Sequence, residues 1–299
     1  DYGTAPALYF DPRPDGFERK IREGQSNYKL PDDVTNPELE ERIAFMTVAQ
    51  LANLIKSKKI TSTQLTNIYL KRLETYRDTL QASVTITRDL ALQQAKKADE
   101  EISNGIYKGL LHGIPYGIKD LFSVPGYKTT WGAMPYKDQE IDEKARVVQK
   151  LEDAGAVLVA KLTSGALARG DVWFGGKTKN PWDLNQGASG SSAGSASATA
   201  AGLVAFSIGT ETLGSIISPS TRCGVTGLRP TFGSVSRAGC MSLSWSMDKV
   251  GPICRSAQDC AIVYSFIKEN DNTIEKDHTV VNYAFVFNPQ SDLSGYKIG

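Results

Sequence analysis

The sequence predicts an α/β protein in which a central mixed β-sheet is covered by helices on both faces. From Leu110 onward, short apolar runs alternate with segments of helical spacing, which is typical of strands joined by helices. The chain has 299 residues, of which 40% are hydrophobic and 22% charged. This composition is ordinary for a globular protein with a sizeable core.

Helix signals occupy the first part of the chain. Possible capping boxes begin at Thr47 and at Thr61, and apolar residues at helical spacing follow each of them, so we expect a helix after each one. A third helix is predicted over about 88–103, before the stop signal at Asn104 and Gly105. Residues 1–44 lack a sustained apolar period, and we expect an N-terminal extension there, followed by one domain over 45–299.

Three apolar runs predict the strands of the sheet. They are GIPYGIKD at 113–120, AVLVAKL at 156–162 and LVAFSIG at 203–209. A helix is expected near 142–154, between the first two. The run of small residues from Ala193 to Phe206 predicts a buried helix, because it is too short and too broken by Gly, Ser and Thr to span a bilayer.

The charge balance indicates a small-molecule partner. The 34 Lys and Arg residues nearly equal the 33 Asp and Glu residues, so no overall field favours direct binding of nucleic acid or of a membrane surface. No apolar run of 18 or more residues predicts a membrane span. The sequence leaves a homodimer open.

Neither a metal nor a cofactor is predicted. The chain has two histidines and no CxxC spacing, and we expect buried, reduced thiols at its four cysteines, Cys223, Cys240, Cys254 and Cys260. Residue 1 is Asp and no apolar leader precedes it, so we expect a trimmed or processed N-terminus. Localisation in the cytoplasm and export both stay open.

A Gly/Ser-rich segment at 187–202 could be mistaken for a flexible linker. It leads directly into an apolar run, however, and a second Gly/Ser turn follows at 209–215. Small side chains let backbone N–H groups converge on one point, as the stabilisation of an oxyanion requires. The two turns therefore predict a pocket between them.

Four motifs resemble those of the amidase signature family, and the resemblance covers about 45–265. Ser191 and Ser215 are 24 residues apart, the spacing that this family keeps between its two catalytic serines. The motifs are GIPYGIKD at 113–120, SGSSAGSA at 189–196, GTETLGSI at 209–216 and CGVTGLRPT at 223–231.

The resemblance implies an amidohydrolase that cleaves carbon–nitrogen bonds other than peptide bonds, in linear amides, without a cofactor. Ser215 matches the nucleophile, Ser191 the bridging serine that family members hold in a cis peptide, and Lys119 the base. The expected oxyanion hole consists of the backbone N–H groups of Thr212, Leu213, Gly214 and Ser215.

The residue chemistry is consistent with these roles. A serine hydroxyl needs a base within hydrogen-bond reach, and a lysine serves as a base only when it is neutral. Lys119 ends an apolar run that would deliver it into the core. Asp120 is expected to hold a loop or to pair with a cation. Leu213 and Ile217 replace the glycine and the arginine that are common in the family, so the resemblance does not indicate which amide is the substrate.

Two other functions stay open. The chain also resembles the A-type subunits of glutamyl- or aspartyl-tRNA amidotransferases, which belong to the same family. A second hypothesis is an α/β-hydrolase-like esterase, because residues 190–194 fit the G-x-S-x-G pattern, with Ser192 as nucleophile and His278 downstream. Family members continue beyond the position of Gly299, so we expect a fragment whose last residues, 292–299, begin a strand.

Overall fold

The computed structural model describes residues 26–269, 277–281, 284–289 and 294–295. The helices of this part are α1 (Glu40–Ala44), α2 (Val48–Lys56), α3 (Ser62–Thr75), α4 (Arg77–Leu80), α5 (Arg88–Ser103), α6 (Arg146–Asp153), α7 (Ala193–Ala200), α8 (Ile217–Cys223) and α9 (Ala257–Ile267). The strands are β1 (Ser83–Ile86), β2 (Pro115–Lys119), β3 (Val157–Leu162), β4 (Val172–Trp173), β5 (Gly176–Lys177), β6 (Lys179–Asn180), β7 (Asp183–Gly187), β8 (Phe206–Glu211), β9 (Thr226–Gly227) and β10 (Lys249–Cys254).

Six of the described strands form one sheet, in the order β1-β3-β2-β8-β10-β9. The central strands β3, β2 and β8 run parallel, whereas β1, β10 and β9 pair antiparallel with their neighbours. The sheet is therefore mixed, as predicted. Because β3, β2 and β8 run in the same direction, their carboxyl ends meet at one edge of the sheet.

Both faces of the sheet are buried. Every residue of β2, β3 and β8 is buried, so their apolar runs do not alternate with polar residues. On one face, Tyr116 and Ile118 belong to a cluster that includes Leu51 of α2. On the other face, Val159 belongs to a cluster with Ala198 of α7. Helices cover the two faces, which confirms the predicted fold class.

The helix ends predicted from capping residues and stop signals in the sequence agree with the observed ones, with one exception. Both predicted capping boxes are formed, at Thr47 with Gln50 and at Thr61 with Gln64. The third predicted helix, about 88–103, matches α5. The small-residue helix is shorter than predicted, because α7 ends at Ala200 and Gly202, with φ of 63°, turns the chain toward β8.

Parts of the prediction fall on residues that the structure does not describe. These are residues 1–25 of the expected N-terminal extension and most of the expected strand at 292–299, of which only residues 294–295 are described. Among the described helices, none combines the length and the apolar character that crossing a membrane requires.

Candidate active site

Lys119 is the last residue of β2, and its side chain is fully buried. Its Nζ atom lies 2.7 Å from Ser191 Oγ and 2.8 Å from Thr210 Oγ1. The Thr210 carbonyl oxygen is 3.4 Å from the same nitrogen. Thr210 reaches this position because β8 runs parallel to β2 and beside it. The two strands thus deliver a lysine and a threonine hydroxyl to one edge of the sheet.

The surroundings of Lys119 favour the neutral amine. Burial lowers the pKa of Lys119 from 10.5 to about 7. Cys240, Asp248 and Glu211 act in the opposite direction, but they offset only part of the burial effect. With a pKa of about 7, roughly half of the Lys119 amine is neutral at pH 7 and can accept a proton, whereas an exposed lysine is almost fully protonated there.

Ser191 lies in a tightly packed backbone segment. The Gly190–Ser191 peptide is cis, and Ser189 before it has φ of 63°. A side chain at Gly190 would place its Cβ 1.9 Å from the carbonyl oxygen of Gly170, so only glycine fits there. Ser191 itself is 1% exposed, and its hydroxyl faces the Lys119 amine.

Ser215 lies in the turn between β8 and α8 and is 9% exposed. Its carbonyl oxygen accepts a hydrogen bond of 3.1 Å from the Ser192 N–H, which holds the turn against the segment that carries Ser191. Within the described residues, the Ser215 hydroxyl makes no hydrogen bond, either to Ser191 or to another group. The structure thus shows a direct hydrogen bond between Lys119 and Ser191. Ser215 is linked to the same segment only through its carbonyl oxygen, and its hydroxyl is free within the described residues.

The turn before α8 presents unused donors. No hydrogen bond within the described part of the chain uses the backbone N–H of Thr212, Leu213, Gly214 or Ser215. Gly214, with φ of 83°, adopts the left-handed conformation that such a turn needs. These four residues are the predicted oxyanion hole, and their N–H groups are available to a negatively charged oxygen.

Glu211, which ends β8, shapes this turn. Its Oε2 atom accepts hydrogen bonds from the N–H groups of Ile216, at 2.8 Å, and Ile217, at 3.0 Å. The carboxylate is 2% exposed and caps the start of α8. The sequence alone indicates no such role for Glu211, because its partners are backbone groups whose positions only the folded turn defines.

A buried ion pair lies beside Lys119. Lys161 Nζ, at the end of β3, is 2.8 Å from Asp120 Oδ1, and both side chains are fully buried. Asp120 also accepts hydrogen bonds from the N–H and the hydroxyl of Thr130, while Lys161 donates to the Lys128 carbonyl and to the Thr129 hydroxyl. Both roles considered for Asp120 are therefore present, since it pairs with a cation and holds a loop.

The structure does not bring Ser192 and His278 together. The Ser192 hydroxyl is fully buried, donates to the Thr210 carbonyl at 3.0 Å and accepts from the Thr210 N–H at 3.2 Å. His278 is exposed. Ser192 thus anchors β8, and its hydroxyl is unavailable for the attack that the esterase hypothesis requires.

The cysteines and acidic residues form no metal site in the described ranges. No group of three or more His, Cys, Asp or Glu side chains lies close enough together to hold an ion there. All four cysteines are free, and Cys240 is partly exposed whereas the other three are buried. Three of the thiols are therefore buried as expected, and Cys240 is partly buried against the core.

Comparison with known proteins identifies similar chains. Residues 64–299 match the family model for amidases. The chain is 37% identical over 257 residues to the A subunit of the glutamyl-tRNA(Gln) amidotransferase of Thermoanaerobacter pseudethanolicus, covering 85% of this chain and 52% of that protein. The chain thus spans about half the length of the curated relatives that it matches.

Solved structures of a peptide amidase and of an amidotransferase A subunit are also similar to this chain. The native peptide amidase of Stenotrophomonas maltophilia has a TM-score of 0.73 and 37% identity, over 78% of this chain and 49% of that one. The A subunit of the glutamyl-tRNA(Gln) amidotransferase of Thermotoga maritima has a TM-score of 0.69 and 30% identity, over 81% of this chain and 51% of that one.

Proposed function

The chain belongs to the amidase signature family of hydrolases, and from this premise we propose that it hydrolyses a linear carboxylic amide to the acid and ammonia or an amine. Ser215 would form the acyl-enzyme, and Ser191 and neutral Lys119 would relay the proton. The observation that carries the proposal is the 2.7 Å contact between a fully buried lysine amine and the Ser191 hydroxyl.

In the acylation step, Ser215 Oγ attacks the amide carbonyl carbon. Its proton passes to Ser191 Oγ while Ser191 gives its own proton to Lys119 Nζ. Collapse of the tetrahedral intermediate breaks the C–N bond, and the leaving nitrogen takes the proton back through Ser191. Water then cleaves the acyl ester along the same route. This route requires the Ser215 hydroxyl to come within hydrogen-bond distance of Ser191 Oγ when substrate binds, and the 3.1 Å bond from the Ser192 N–H to the Ser215 carbonyl oxygen holds the two segments together.

The free N–H groups of the turn would stabilise the intermediate. The negative charge that forms on the carbonyl oxygen needs donors that are already oriented, and the unused N–H groups from Thr212 to Ser215 meet that need. Loss of one such donor typically lowers the rate by 100- to 1,000-fold or so. Leu213 would contribute through its backbone, so its side chain stays free to contact substrate.

Labelling with a fluorophosphonate tests the nucleophile. We expect the probe to modify Ser215 of the full chain, and peptide mapping identifies the site. The Ser215→Ala variant should lose both labelling and amide hydrolysis. The exposed residue His278 offers a matched control, since His278→Ala should keep both. A label on Ser192, or loss of activity in the His278 variant, would favour the esterase mechanism instead.

The A-type component of an amidotransferase is the second candidate, because the chain is 37% identical to such a protein over 85% of its own length. The two functions differ in what the protein needs for turnover. A free amidase releases ammonia from simple amides by itself. Activity that appears only when partner proteins and an aminoacyl-tRNA are added would favour the amidotransferase component.

A further inference from the structure

The residues on either side of Ser215 expose apolar side chains. Leu213, two positions before it, is 79% exposed, and Ile217, two positions after it, is 43% exposed. Isolated exposed leucines are common on protein surfaces, but these two flank the serine that would attack substrate. Apolar side chains are therefore exposed two positions before and two positions after the candidate nucleophile.

A second loop adds apolar surface. In residues 241–248, before β10, Leu243, Trp245 and Met247 are 51%, 42% and 44% exposed. Asp248 fixes this loop to the turn, because its Oδ1 accepts a hydrogen bond from the Thr212 hydroxyl. Its Oδ2 accepts from the N–H groups of Leu243 and Ser244. Asp248 thus ties the second loop to the turn, and the exposed apolar side chains of the two loops are called the apolar wall below.

Three cations in the described part of the chain contact residues of these loops or of the strand end before them, and each has at least one partner. Lys249 Nζ donates to the Thr212 carbonyl at 2.9 Å, and Arg229 lies 3.8 Å from the Glu211 carboxylate. Arg237 donates to the Trp245 carbonyl and pairs with Asp277. A carboxylate on the substrate would compete with these partners for the same cations and would lose part of its hydration at an apolar surface.

We propose that the amide accepted by this site carries an uncharged, apolar acyl group, and that Ile217 and Leu213 select it. The inference rests on the proposed function, since it takes Ser215 as the nucleophile. Each methylene that the wall removes from water should raise kcat/KM about fourfold. A carboxylate at the end of the same acyl chain should cancel that gain.

A matched pair of substrates tests the inference. Ammonia release by the full chain is measured with hexanamide and with the monoamide of adipic acid, which has the same chain length and ends in a carboxylate. We expect kcat/KM to be at least tenfold higher for hexanamide. Ile217→Arg should reverse this preference. Leu39→Arg is the matched control, because Leu39 is 56% exposed, directly precedes α1 and belongs to neither loop.

Binding to the Ser215→Ala variant gives a readout that does not need turnover. Hexanamide should bind at least tenfold more tightly than the adipic monoamide. Equal or reversed affinities overturn the inference, even when the wild-type chain hydrolyses amides and the fluorophosphonate labels Ser215. Conversely, hexanamide binding with no labelling of Ser215 and no turnover overturns the proposed function but supports the apolar preference.

Sedimentation velocity distinguishes a wall that binds substrate from a wall that forms an interface between two copies of the chain. If Ile217→Arg or Trp245→Ala converts a dimer to a monomer and leaves the substrate preference unchanged, the wall is an interface between copies and the inference is wrong. A single sedimentation coefficient for all variants, with the altered preference, supports it.

Discussion

At the scale of single residues, the candidate chemistry depends on how Lys119 is surrounded. Its amine contacts two hydroxyl groups and a carbonyl oxygen, and burial lowers its pKa to about 7. A neutral amine has two N–H donors and one lone pair. If Thr210 takes the donors, the lone pair is directed at the Ser191 hydroxyl, as a base requires.

The pH dependence of kcat/KM follows from this pKa. The proposed base is inactive when protonated, so the rate should fall as pH drops below about 7 and reach a plateau above it. Lys119→Met should lower kcat/KM by roughly 1,000-fold or more, since the relay then has no acceptor. The pH-rate profiles of the wild type and of Lys119→Met, measured with an apolar amide, check both expectations. A rate that rises on acidification would contradict Lys119 as the base.

Thr210 is expected to orient the amine. Thr210→Val keeps the shape of the side chain and removes the oxygen that lies 2.8 Å from Lys119 Nζ. We expect kcat to fall by roughly 10- to 100-fold, which is less than the roughly 100- to 10,000-fold contribution of a group that transfers the proton itself, because Thr210 only orients the amine. Thr210→Ser retains an oxygen and should recover most of the activity. Comparable losses in the two variants would indicate a packing role.

At the scale of secondary-structure elements, two carboxylates connect strand ends to the loops that follow them. Glu211 joins the end of β8 to the start of α8, and Asp120, directly after β2, joins that strand to Thr130. Both side chains are buried, so their hydrogen bonds are little exchanged with water. The loops around the site are therefore fixed by side chains that emerge from the sheet.

Removal of the Glu211 carboxylate should disturb the turn more than the fold. Glu211→Ala leaves the N–H groups of Ile216 and Ile217 without their acceptor and should cost about 1–3 kcal/mol of unfolding free energy. Because the same turn carries the proposed oxyanion donors, kcat should fall further than stability alone explains. Glu211→Gln keeps one acceptor and serves as the control. Kinetics combined with urea unfolding distinguish the two effects.

Removal of only one charge from the buried pair of Asp120 and Lys161 should lower the free energy of unfolding. Asp120→Asn leaves a buried lysine without its counter-charge, and we expect a loss of about 3–5 kcal/mol in urea unfolding. The double variant Asp120→Leu with Lys161→Met removes both charges and should recover much of that loss. A double variant that is less stable than Asp120→Asn would show that the pair itself stabilises the fold.

At the scale of the whole molecule, Lys119 links stability to pH. The pKa of Lys119 is about 7 in the folded protein and has its ordinary value of 10.5 in the unfolded chain. Between pH 7 and pH 10.5, the unfolded chain therefore binds more protons than the folded one. The contribution of Lys119 to stability therefore rises with pH across this window. At pH 7 the lysine destabilises the fold relative to a neutral side chain of similar size.

Lys119→Met should therefore stabilise the protein while it abolishes turnover. At pH 7 we expect a gain of roughly 1–4 kcal/mol, which shrinks as pH approaches 10. Urea unfolding of the wild type and the variant at several pH values measures the difference. An equal difference at every pH would contradict the lowered pKa, and a loss of stability would point to a packing defect.

The sequence by itself determined much of the fold and the order of the candidate site residues. The capping boxes at Thr47 and Thr61, the three apolar strands and the order of Lys119, Ser191 and Ser215 could all be read from it. These features depend on contiguous residues or on fixed spacing, and the physical signals for caps, strands and tight turns are local. For the same reason the family could be recognised from four short motifs.

Only the tertiary structure decided what surrounds those residues. The sequence did not indicate that β2 lies between β3 and β8, and this strand order brings Thr210 to Lys119 and Lys161 to Asp120. The lowered pKa of Lys119 likewise follows from burial by residues far away in sequence. Such contacts form between distant segments, so their energies appear only when the chain closes around them.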